Sequence, residues 1–190
     1  DLVEMLQNGE IDLMGGVSYP EERAGTMLFS ELPMGEERYY LYVDLAHSDI
    51  SISDLETLNG KRIGMLENAL SSNEFCSWEK SHGLHTEHVY ISGAEDVHKK
   101  LASNEIDGFI LNESPQWERE NLSATIAVGG SDNYFIINKQ RPDLKEDLDN
   151  AMRRFEHDRP VYKDDLYKRY LSAKSFEVLT DEEREWLKQH

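Results

Sequence analysis

Cysteine is almost missing. Cys76 stands alone among 190 residues, so an intrachain disulfide is excluded and a single thiol does not settle the redox compartment. Basic residues are also scarce, with 20 Lys and Arg against 38 Asp and Glu and a formal net charge of -18 at pH 7. That balance works against nucleic-acid backbones and anionic membranes as partners, and it favours solubility over any particular partner. No apolar run approaches the length of a membrane span. A leader is absent too, but the chain opens inside a helical pattern (Leu2, Val3, Met5, Leu6). We read it as a segment of a longer protein, in which that absence says nothing about export. No nucleophile elbow or glycine-flanked serine invites a hydrolase reading, and repeats and low-complexity stretches are lacking. What is present is 38% hydrophobic and 31% charged, ordinary for a globular chain long enough for one domain or two small lobes.

The stretch from Gly9 to Arg23 organises the rest. It reads as the end of a helix, a short buried strand over Ile11 to Val17, and a polar turn presenting Ser18 and Arg23. The end of a strand is where open α/β sheets hold ligands. A hydroxyl, the amides beside Gly15 and Gly16, and a guanidinium could together grip a carboxylate. The plainer alternative is a strand-to-turn connection with a surface arginine.

Downstream, Glu37 to Asp44 reads as a strand, and a βαβαβ block follows. Its strands are expected at Arg62 to Leu66, Val89 to Ile91 and Ile106 to Leu111. Ser71 with Glu74 reads as a capping box opening a helix that carries Phe75 and Trp78 on one face, and Gly83 ends it. Ser92 with Glu95 forms a second box, before a helix with Ala94, Val97 and Leu101 on its apolar side. Such alternation predicts a parallel sheet with right-handed crossovers. Thr125 to Val128 and Tyr134 to Ile137 are strand-like. A helix after Arg141 places Leu144, Leu148, Ala151, Met152 and Phe155 on a core-facing stripe, and Tyr162 to Leu171 reads as a further helix.

Asn8-Gly9-Glu10-Ile11-Asp12, Gly15-Gly16-Val17-Ser18, Glu22-Arg23 and Phe29-Ser30 together resemble the signature of the amino-acid-type (family 3) bacterial extracellular solute-binding proteins. The resemblance implies an α/β, two-lobed periplasmic-binding-protein-like (type II) fold, with lobe one incomplete at the N-terminus. Lobe one would comprise residues 1–49 plus 132–175 and lobe two residues 50–131, with 176–190 a linker helix toward a following module. Ligand-binding roles are implied for Gly16, Ser18, Arg23, Asn68, Ser71, Ser72 and Asn112, around a carboxylate-bearing small molecule of the amino-acid class. No cofactor and no metal are expected. The incomplete lobe predicts dimerisation through lobe one, or a completing segment in the parent protein.

Two positions depart from the family pattern. Asn68-Ala69-Leu70 stands where a Gly followed by Ser/Thr-Thr is usual, and Asn112 stands where an aspartate pairs with a ligand's ammonium. A neutral amide cannot supply that ion pair, so Asn112 argues against a standard α-amino acid, unless Glu113 replaces the charge. Thr180 to Leu187 resembles a phrase that leads into a further module in sensor proteins. The expected function is therefore an extracytoplasmic sensor domain of a membrane-anchored bacterial signalling protein, with ligand held between the lobes and closure near Asp44 to Ser48 and Asp132 to Tyr134. The alternatives are a transport-associated solute-binding protein and, less directly, a dehydratase-type or peptidoglycan-enzyme regulatory domain, for which Glu67 and Glu113 are the best acid–base pair on offer. His82, His85 and His88 recur at a spacing of three, but Gly83 interrupts them and their directions diverge. Cys76 is read as packed beside Phe75 and Trp78.

Overall fold

A computed structural model describes residues 1–18, 25–44, 48–114, 116–117, 120 and 122–170. Arg23, the Leu45–His47 part of the expected hinge and the Thr180–Leu187 phrase lie outside the described residues. The chain divides into two units, one taking in Asp1–Glu37 and Ser131–Arg169, the other Arg38–Gly130.

Unit 1 begins with α1 (Leu2–Asn8), whose N-cap Asp1 accepts from the Val3 amide. Strands β1 (Leu13–Ser18) and β2 (Leu28–Phe29) flank the last part of β7 (Leu122–Ile137), the long strand that runs from unit 2 into unit 1. Both pair antiparallel with the same residues: Leu13 and Leu28 face Ile137, Met14 and Phe29 face Ile136. Leu6, Met27, Phe29 and Ile136 form the buried core here. Helix α4 (Pro142–Asp158) lies against β2, and α5 (Tyr162–Tyr170) follows it. The predicted stripe on α4 is only partly covered: Leu144, Leu148 and Met152 are half-buried, while Ala151 and Phe155 are exposed. The buried residue of α4 is instead Asp149, which accepts from the Glu31 amide at 2.7 Å and from Lys145.

Unit 2 is a sheet in the order β7-β3-β6-β4-β5, with β3 at Gly35–Asp44, β4 at Arg62–Leu66, β5 at Glu87–Ile91 and β6 at Gly108–Asn112. Strand β4 is parallel to both β5 and β6, and β3 is antiparallel to β6. Helix α2 (Leu70–His82) connects β4 to β5, and α3 (Ala94–Ala102) connects β5 back across to β6. Because the strand order reverses, right-handed crossovers place the helices on opposite faces. The cores agree. Phe75 and Leu84 gather with Leu41, Val43, Ile63 and Ile110 on one face; Val97 gathers with Tyr42, Ile91, Phe109 and Trp117 on the other. Alternation along β3 and β6 supplies both, as a period of two requires.

The capping boxes need correction. Helix α2 has Ala69, not Ser71, as its N-cap, and no side chain caps it. Asn68 has a positive φ of 56°, which turns the chain early enough for the helix to start at Leu70. Helix α3 starts from Gly93 rather than Ser92, and it is Asp96, not Glu95, whose side chain accepts from the Ser92 amide, at 3.0 Å. Gly83 ends α2 in the left-handed conformation. The two strand-like stretches after Trp117 are one strand, β7, passing through Gly129-Gly130 without a break.

Candidate functional site

In unit 1 the candidate positions lie on a bulge. Met14 pairs with Ile136 and Val17 with Tyr134, so three steps along β1 match two along β7, and Gly15-Gly16 takes up the extra residue. Gly16 has φ +77°, a conformation glycine adopts without steric cost. Its amide leaves the ladder and donates to the Met34 sulfur. Ser18 closes the strand opposite Asn133, half-buried, with its hydroxyl donating to Asn133 Oδ1 at 3.5 Å. Arg23, the remaining candidate of this group, is outside the described residues.

In unit 2 the candidates gather at the carboxyl ends of β4 and β6, where the strand order reverses. Such a reversal opens a crevice in doubly wound sheets. Asn68 follows β4 and Asn112 ends β6, both exposed; Glu67 is exposed and Glu113 half-buried. Ser71 and Ser72 are each 6% exposed in the first turn of α2. The Ser72 hydroxyl donates to Leu66 O at 2.7 Å, closing the β4–α2 turn. With alanine at the N-cap, the first-turn amides of α2 receive no side-chain acceptor. These groups carry the positive end of the helix dipole. Tyr42 supports the neighbouring segment from below: its hydroxyl accepts from the Ser114 amide at 3.3 Å and lies 3.5 Å from Asn112 O.

A cavity of about 440 Å³ opens at the other end of the same sheet, lined by Asp44, Asp49, His98, Asp107 and Glu120 among others. Its acids are paired. Asp107 is gripped by Arg62, which holds its carboxyl below the usual range; Asp49 meets Lys61 at 2.7 Å and Glu120 meets His98 at 3.0 Å.

Two of the three histidine side chains take separate partners. His82 Nδ1 is 2.8 Å from Trp78 O, and His88 Nε2 is 2.9 Å from Glu79 Oε2. Among the described residues no group of three metal-ligating side chains converges. Cys76 is half-buried, and burial followed by the nearby Glu79 charge pushes its thiol up. Two residues that the sequence did not single out matter to these surroundings. Met34 covers the Gly16 amide, and Glu74 lies against Gly129, where an added Cβ would come within 3.0 Å of its side chain. Neither carries a local signal, since both contacts join residues distant in sequence.

No protein-family model matches the chain, and no curated protein does. Solved structures do. The probable amino-acid ABC transporter extracellular-binding protein ytmK from Bacillus subtilis is similar with a TM-score of 0.74 at 21% identity, over 91% of this chain and 76% of that one. Substrate binding domain 2 of Lactococcus lactis GlnP, in an open conformation, gives 0.64 at 17% identity, over 89% and 73%. An ancestral amino-acid-binding protein described as a precursor of cyclohexadienyl dehydratase gives 0.59 at 19% identity, over 90% and 72%. At these identities the likeness is one of fold. The chain is a mixed α/β protein of the periplasmic-binding-protein-like type.

Proposed function

We propose that a chain with this fold and these two groups of positions is an extracytoplasmic binding domain for a small carboxylate-bearing molecule, of the kind that serves amino-acid uptake. The observation that carries the reading is the start of α2: its first-turn amides lack a side-chain cap and stand at the strand-order reversal of unit 2. Oriented amides backed by a helix dipole favour a carboxylate. Ser71 and Ser72 lie in that turn, with Asn68 before it. In unit 1 the Gly16 amide, the Ser18 hydroxyl and Arg23 supply further donors for an acidic group.

Asn112 narrows the ligand class. Its carbonyl can accept from an ammonium but cannot neutralise it, which favours ligands whose amino group is weakly basic, substituted or absent. Uptake takes precedence over sensing because the similar solved structures include binding proteins of amino-acid ABC transporters. The sensor reading rests on the Thr180–Leu187 phrase, and a signalling output module fused to the parent protein would restore it.

The test is thermal unfolding of the protein against a panel of amino acids, N-substituted amino acids and dicarboxylates. A ligand at a hundredfold over its dissociation constant adds about 2.7 kcal/mol, which corresponds to roughly 5 to 10 °C in a domain of this size. We expect a shift of that order with one class, lost in Arg23→Ala and reduced in Ser18→Ala. Absence of any shift across the panel defeats the reading.

A further inference from the structure

The Gly16 amide is already occupied. It donates to Met34 Sδ at 2.9 Å, and a Cβ built on Gly15 would stand 2.9 Å from the same sulfur and 3.1 Å from the Phe135 ring. Only a residue without a side chain leaves room for the thioether here. Met34 is tethered from behind, its own amide donating to Asn133 O at 2.8 Å. Met34 as a residue is nonetheless 36% exposed, and three rotatable bonds let the tip swing away while the backbone stays paired.

A thioether sulfur is a weak acceptor. A carboxylate oxygen in its place makes a charge-assisted bond, roughly twice as strong as a neutral one. We infer that Met34 is a displaceable stopper on the Gly16 amide, and so a specificity-determining residue for carboxylate ligands; this rests on the binding reading above. The stopper keeps the amide partnered while the seat is empty, and it yields to an acceptor that outcompetes sulfur. A neutral carboxamide gains too little to evict it and binds with Met34 in place. A seat open only a fraction of the time weakens apparent affinity by that fraction, so removing the stopper tightens binding for those ligands that use the seat.

The experiment compares the full chain with Met34→Ala by calorimetric titration, using the same amino acids, N-substituted amino acids and dicarboxylates, each beside its carboxamide counterpart. In the unsubstituted protein the Met34 methyl resonance is followed by NMR during the same titrations, a readout that needs no variant. We expect Met34→Ala to bind the responding acid about three- to tenfold tighter and its amide unchanged, and the methyl resonance to move with the acid but not with the amide. Affinities equal within about twofold and a methyl resonance unmoved at saturation overturn the stopper and leave the binding reading standing. If neither protein binds any acid of the panel, the binding reading falls and the stopper falls with it.

Discussion

Glu79 shows how much one side chain can hold in this chain. It is 8% exposed and accepts from the Thr86 amide at 2.6 Å, the Thr86 hydroxyl at 2.7 Å and His88 Nε2 at 2.9 Å, tying α2 to the start of β5. Burial pushes its carboxyl up, but the hydrogen bonds from Thr86 and His88 outweigh that, and it lies below its ordinary value of 4.5. A carboxyl depressed in the folded state contributes stability that is fully present above the unfolded value and is lost as pH falls through the folded one. Glu79→Ala would leave the half-buried Thr86 amide and hydroxyl without their acceptor and cost about 1 to 3 kcal/mol at neutral pH; Glu79→Gln, which keeps one acceptor, costs about 1 to 2 kcal/mol. Urea unfolding at neutral pH and at about pH 3 checks both, with the gap between the Glu79→Gln variant and the parent narrowing at the acid end. A gap independent of pH would remove the charge from the account.

Among the elements, the β3–β6 seam leaves no room for a side chain at Gly108. A Cβ at Gly108 would meet Tyr42 O at 2.8 Å, with Leu41 and Val43 side chains at 3.1 Å, whereas one at Gly35 meets nothing within 4 Å. Gly108→Ala therefore has to push two strands apart and is expected to cost about 1 to 3 kcal/mol. Gly35→Ala should instead be neutral or stabilise by up to about 1 kcal/mol, and urea midpoints of the two variants decide the comparison. The strands and helices of unit 2 were legible in the sequence because alternation, β-branched runs and Gly83 all point the same way. The start of α2 was not, because Ser71-Ser72-Asn73-Glu74 fits a capping box wherever the helix begins, and only the turn at Asn68 fixes it at Leu70. β2 escaped notice at two residues, too short for a period to show. Thr125 to Val128 and Tyr134 to Ile137 read as separate strand-like stretches, yet β7 runs through Gly129-Gly130 between them. At the candidate site, the sequence reads as a buried strand ending at Val17 with Ser18 in a turn beyond it, whereas Ser18 closes β1, no residue of that strand is buried, and Gly15-Gly16 bulges; neither the bulge nor Met34 could be foreseen, since nothing near Met34 in sequence says that it reaches a residue eighteen positions away.

At the scale of the molecule, the two units are unevenly supported. Unit 2 has a buried core on each face of its sheet; unit 1 relies on a small cluster around Leu6 and Ile136 and leaves Leu13, Met34 and Phe155 more than a third exposed. Unit 1 should open first, because local stability follows buried apolar contact. Trp78 and Trp117 both lie in unit 2, and Trp186 can be replaced by Phe. In that background, circular dichroism should begin to fall at a lower urea concentration than tryptophan fluorescence; coincident curves would mean the units unfold together. The path of β7 has a further consequence, for synthesis. Unit 1 is assembled from two separated stretches of chain, and Ile136 and Ile137, which pair with both β1 and β2, reach the ribosome exit only after all of Arg38–Gly130. At about 5 to 20 residues per second, Leu28 and Phe29 wait roughly 5 to 20 s for their partners. During that interval unit 2 can fold around its own sheet, while the first strands of unit 1 stay exposed to whatever chaperone or neighbouring chain meets them first.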